Sequence, residues 1–133
     1  MLFNGQYTND PLVPGEQYGI GGANTVRGFS ERQFSNDQGY SGNVEIYTPD
    51  LSMLFGVAAF QSRLLMFYDR GYVSSKVPGD TVSTQVASMG PGLRIMDGKR
   101  FSISVDCGFV VDPPDENTSR WSSVWHLSAS LMF

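Results

Sequence analysis

Over long stretches of this chain every second residue is apolar, and that alternation restricts the fold more than any other feature. From Arg120 to Phe133 the odd positions read Trp121, Ser123, Trp125, Leu127, Ala129, Leu131 and Phe133, and the even ones Ser122, Val124, His126, Ser128, Ser130 and Met132. Residues 100–111 set Phe101, Ile103, Val105, Cys107 and Phe109 against Arg100, Ser102, Ser104, Asp106 and Gly108. In residues 84–95, Ala87, Met89, Pro91, Leu93 and Ile95 share one face, with Ser88, Gly90, Gly92 and Arg94 on the other. Residues 58–72 set Phe60, Leu64, Met66 and Tyr68 against Gln61, Arg63 and Asp69, and a shorter strand starting near Gly39 sets Val44 and Ile46 against Asn43 and Glu45. Successive side chains of a strand point to opposite faces, so a period of two predicts β-strands with one apolar and one polar face. The fold class expected is all-β.

Turn residues separate these strands. Thr48-Pro49-Asp50 ends one, and Asp97-Gly98 predicts a tight hairpin between a strand ending near Met96 and one starting near Lys99. Residues 74–80 and 112–119 read as longer polar loops. Short and long connections therefore alternate, as they do in a barrel with turns on one side of a membrane and loops on the other. Residues 9–38 break the pattern: Gly15, Gly19, Gly21, Gly22 and Gly28 lie in a polar stretch that reads as one long loop, a kind of segment that is usually functional.

Two architectures fit such strands, a soluble β-sandwich and a membrane β-barrel, because a face buried in a core and a face turned to lipid have the same period. Strand readings of about 12 to 15 residues suit the tilted membrane crossing, which needs about 9 to 11. Trp121 and Tyr72, near strand ends on the apolar face, stand where aromatic girdles belong. No apolar run approaches the roughly 18 residues of a membrane helix. Lys+Arg 9 against Asp+Glu 13 gives a net charge of -4, which disfavours a nucleic-acid partner. A single cysteine, Cys107, excludes an intrachain disulfide and a thiolate metal site. The first five residues lack a basic region followed by an apolar core, so the chain reads either as not exported or as a piece of a longer one.

The chemistry-bearing candidates are few. Gly21-Gly22-Ala23-Asn24-Thr25-Val26-Arg27-Gly28-Phe29 puts a guanidinium between small and apolar residues, with Gly28 allowing close backbone approach. Phe67-Tyr68-Asp69-Arg70-Gly71 puts Asp69 on its strand's polar face with Phe67 and Gly71. His126 and Ser128 share a strand face without an evident orienting partner, and read as polar lumen residues rather than a nucleophilic pair. Gly19-Ile20-Gly21-Gly22 lacks the strand and helix of a phosphate loop, and Asp112, Asp115 and Glu116 read as a solvated loop rather than a calcium site. No catalytic, metal or cofactor site is expected.

These residues carry a family resemblance. Gly21-Gly22, Val26-Arg27-Gly28-Phe29 and the following Gly39-Tyr40 to Thr48-Pro49 resemble the lid loop and next strand of the two-partner secretion transporters of the haemolysin-activator type. Phe67, Asp69 and Gly71 are similar to that family's F-x-D-x-G strand motif, residues 88–94 to its small-residue strand ending in Leu-Arg, and residues 125–133 to its closing strand. The resemblance implies an outer-membrane barrel that secretes a large unfolded partner protein, an adhesin or haemolysin, with lipid and the barrel-assembly machinery as further partners. It implies that residues 1–8 end a strand, 9–38 form a lid folded into the lumen, and 39–133 form about five antiparallel strands, the C-terminal part of a transmembrane barrel whose periplasmic domains and other strands are absent. It also implies an Arg27–Asp69 pair docking the lid, and Phe133 as the terminal aromatic assembly signal. The alternatives are a barrel-assembly protein of the same superfamily and the soluble β-sandwich binding module.

Overall fold

The computed structural model describes residues 1–54, 56, 60–80, 82–98 and 100–133. They contain eight strands: β1 (Leu2–Gln6), β2 (Tyr18–Ile20), β3 (Phe34–Asn36), β4 (Gln38–Tyr47), β5 (Gln61–Ser74), β6 (Ser83–Asp97), β7 (Phe101–Asp112) and β8 (Ser123–Leu131). Six form one antiparallel sheet in the order β1-β4-β5-β6-β7-β8, and β2 and β3 form a separate antiparallel pair. Apart from β1 beside β4, neighbours in the large sheet are consecutive in the chain. That simple order follows from alternating strands joined by turns. β4 and β6 end, and β5 and β7 begin, at one end of the sheet; β5 and β7 end, and β6 and β8 begin, at the other, where β1 also ends and β4 begins.

Several boundaries differ from the sequence reading. The long loop is not wholly irregular: Tyr18 pairs with Asn36 and Ile20 with Phe34, making a small hairpin whose tip is residues 21–33. Asp97 pairs with Phe101, so the hairpin connection is 98–100 rather than two residues, with Gly98 at φ 53; Lys99 lies outside the described residues. The expected strand start at Ala58 also lies outside them. β8 starts at Ser123 rather than near Arg120, because Trp121 takes a left-handed φ of 69 that no strand continues. Tyr72 does lie on a strand, stacked on its cross-strand partner Tyr40 with ring centroids 5.5 Å apart, and Tyr40 stacks on Phe3 at 6.0 Å.

The two faces of the sheet have opposite fates. The apolar face is open: Ile46 is 72% exposed, Trp125 70% and Leu127 75%, and nothing among the described residues covers them. A β-sandwich would bury this face against a second sheet, so that alternative is not the fold. The hairpin lies instead over the other face. There Ile20, Val26 and Phe29 of the loop meet Val73, Val86 and Val110 of β5, β6 and β7, all of them buried, with Tyr18 and Phe34 alongside. At this end the inward strand positions are apolar because they meet the loop. Burying side chains of this size contributes about 1.5–3 kcal/mol each. β1 and β8 are the open edges of the sheet among the described residues.

Candidate functional site

Beyond the apolar patch, along the same strand face, lies a cluster of charge around the hairpin tip. Gly21 and Gly22 open the tip with φ of 110 and 97, tied by Thr25, whose hydroxyl accepts from the Gly21 amide and donates to the Gly21 carbonyl, both at 2.9 Å. Val26, Arg27, Gly28 and Phe29 are all buried, and Phe29 meets Phe34 edge-on at 5.7 Å. With Val26 and Phe29 on either side pinned in the apolar patch, the Arg27 side chain runs along the strand face rather than into water.

There Arg27 meets Asp69, which the strand register of β5 turns inward and which has no exposed surface. The guanidinium donates to both carboxylate oxygens, Nε to Oδ2 at 2.7 Å and Nη2 to Oδ1 at 2.8 Å, and the Arg27 amide adds a third bond to Oδ2 at 3.0 Å. A planar fork on a carboxylate fixes direction as well as distance. The Phe67 ring lies beneath it, 3.6 Å from the guanidinium carbon to the ring centre. Arg27 Nη1 donates to Glu45 of β4 at 2.7 Å and lies 3.5 Å from Asp106 of β7. Asp106 in turn takes a second fork from Arg94 of β6, at 2.7 and 2.9 Å, and Tyr47 donates to Glu45 at 2.6 Å. Two guanidinium groups and three carboxylates thus join the tip to four strands. Burial alone would lower the Arg27 pKa; the hydrogen bond and charge of Asp69, with Glu45 and Asp106 behind them, reverse this and hold it above its ordinary value. Arg27 is therefore fully charged where it sits.

The backbone approach is equally close. Gly28 adopts φ 96, and a Cβ there would stand 3.1 Å from both Ser88 Cβ and the Gly108 carbonyl oxygen. A Cβ at Gly108 would overlap the Arg27–Gly28 peptide. β6 and β7 are out of step by one residue beside this contact, between Ala87 and Ser88. Such bulges re-aim strands next to functional features. Gly71 gives the same closeness on β5, where an added Cβ would lie 2.8 Å from Val26 Cγ2.

The residues singled out by sequence therefore converge, Gly21 through Phe29 on the tip and Phe67, Asp69 and Gly71 on the wall beneath it. Phe133 does not join them; it lies beyond β8, fully exposed. Sequence reading missed Glu45, Arg94, Asp106 and Gly108 as members of the site, although each stands on the inward parity of its strand. His126 was read as a lumen residue without a partner, yet its Nε2 accepts from the Gly28 amide at 3.2 Å. That bond requires an unprotonated Nε2. In the β7–β8 loop Asp115 closes its own turn, accepting from the Thr118 amide at 2.8 Å and hydroxyl at 2.9 Å. Such an arrangement can hold a loop rigidly against a wall through charge and shape.

The family model described as haemolysin secretion/activation protein ShlB/FhaC/HecB matches residues 1–95. The matched span holds the hairpin, β4, β5 and most of β6, with Arg27, Glu45, Asp69 and Arg94; Asp106 and His126 lie beyond it. No curated protein and no solved structure matches the chain.

Proposed function

The chain belongs to the haemolysin secretion/activation family ShlB/FhaC/HecB, outer-membrane proteins of two-partner secretion, and from that premise we propose that it is the lid-bearing segment of a pore that passes an unfolded partner protein, an adhesin or haemolysin. Residues 9–38 are the lid, docked in the lumen by Arg27 on Asp69; residues 39–133 are lumen wall. The supporting observation is the buried Arg27–Asp69 fork, three hydrogen bonds linking residues 42 positions apart. An exposed ion pair contributes about 0 to 1 kcal/mol and would not hold a loop in place. Removing one partner of a buried pair costs about 3–5 kcal/mol, since the other is left without its counter-charge.

The open edges β1 and β8 call for further strands to close the barrel, since unpaired strand edges are not tolerated in a membrane. The exposed apolar face is the lipid face. Insertion through the barrel-assembly machinery, with Phe133 as its signal, belongs to the same reading by resemblance. The family match favours secretion over barrel assembly as the pore's task. No step of this role calls for a catalytic group, and His126 Nε2 is occupied by the lid. Substitution tests the reading: in the intact transporter Arg27→Ala and Asp69→Ala should each lower secretion of the partner protein while the amount of folded barrel in the outer membrane stays unchanged. Undiminished secretion from both would refute the lid-docking role.

A further inference from the structure

A further carboxylate is buried outside this cluster, and the docking of Arg27 makes no use of it. Asp37 follows β3 and precedes β4, at the sheet end where the lid rejoins the wall, and is 1% exposed. Ion pairs among the described residues all involve Arg27 or Arg94, so no cation balances Asp37. Nitrogen donors do so instead, from two separate parts of the chain. Oδ1 accepts from the Leu12 amide at 2.8 Å and the Gln17 side chain at 3.3 Å, both on the lid's entry. Oδ2 accepts from the Lys76 amide at 2.6 Å, in the connection between β5 and β6. Gln6, at the end of β1, adds its side chain to the Asp37 carbonyl at 3.4 Å and the Glu16 carbonyl at 2.8 Å.

We propose that Asp37 is a positioning residue, a clamp at the rim that fixes both ends of the lid to the β5–β6 connection independently of the Arg27 lock inside. The chemistry selects a carboxylate. Two backbone amides meet it, one on each oxygen, and the group between them must accept on both. Asparagine has the same outline but offers one acceptor and one donor. It keeps one amide and opposes the other. An ionised acceptor also makes each bond stronger than a neutral one would. The clamp holds the lid's base and Arg27 holds its tip, so tip and base can respond separately. The proposal rests on the lid reading above.

Amide hydrogen exchange on the intact transporter, read alongside secretion, tests it. In Asp37→Asn one of the two amides, Leu12 or Lys76, should exchange at least about tenfold faster than in the unsubstituted protein while the other stays slow, and secretion should fall at equal barrel levels. In Arg27→Ala both amides should keep their protection. The clamp is overturned if Asp37→Asn leaves both amides slow, if both lose protection in Arg27→Ala, or if secretion by Asp37→Asn is normal although an amide has been released. A failure of the lid reading looks different: Arg27→Ala and Asp69→Ala then secrete normally while the exchange at Leu12 and Lys76 still answers to Asp37.

Discussion

At the scale of single residues, the site depends on the shape of a guanidinium more than on its charge. Arg27 donates in one plane to Asp69 through two nitrogens and to Glu45 through a third, above the face of Phe67. An ammonium has the charge but neither the fork nor the flat face. Arg27→Lys is therefore expected to secrete poorly, close to Arg27→Ala, at equal barrel levels; secretion near that of the unsubstituted protein would mean that charge alone suffices. Asp37 gives a prediction in pH. Bonds from the Leu12 and Lys76 amides, aided by Gln17 and Ser75 and opposed by burial, hold its carboxyl below the ordinary value of 3.8. The charged residues on the lid's entry and on the β5–β6 connection are Asp10, Glu16, Lys76 and Asp80, and the Lys76 ammonium is turned to the Tyr7 ring at 5.3 Å. A carboxyl lowered in the folded state stabilises fully above its unfolded value and loses that contribution as pH falls through the folded one. The difference in thermal stability between the unsubstituted protein and Asp37→Asn should thus hold steady from neutral pH to about 4 and shrink below it. A difference that fades between about pH 8 and 5 would contradict the assignment.

Among the strands, parity was legible and partnership was not. Alternation assigned Trp125, Leu127 and Leu131 to one face of β8 and His126 and Ser128 to the other; the three apolar residues are exposed, and His126 is half-buried where it meets the lid, although Ser128 on this edge strand is exposed too. Glu45 and Asp106 were equally readable as inward. What no local pattern reveals is that Glu45, Asp69 and Asp106 converge on one guanidinium, since that depends on the register of β4 through β7 and on a one-residue slip beside Ser88. The β2–β3 hairpin escaped for a related reason: three-residue strands in a glycine-rich stretch are too short for a period, and the sheet beneath stabilises them. Val73, Val86 and Val110 interrupt the polar pattern of their faces where the loop docks, a further sequence signal that went unread. The faces can be checked directly. A charge facing lipid near the membrane midplane costs about 2–4 kcal/mol, so Leu127→Arg should impair assembly of the intact barrel much more than Ser128→Arg. Equal impairment would contradict the assignment of faces.

For the whole molecule, the sheet is an inside-out arrangement by the standard of soluble proteins, with its apolar face open and its polar face covered by its own loop. In water such a face and two open edges would drive association, whereas lipid and further strands satisfy both. On the proposed reading the lid lies within the barrel, tied at the tip by Arg27 and at the rim by Asp37; its ionic tip reaches β4, β5 and β7 at once. Family membership and this geometry meet in one claim, that Arg27 and Asp69 act as a unit in transport. A double-mutant cycle measures that directly: secretion by the intact transporter carrying Arg27→Ala, Asp69→Ala or both, at matched levels in the outer membrane. The double variant should secrete about as well as either single one, because the second substitution removes a partner already lost. If the two losses simply add, the residues act separately and the lid is not held by this pair.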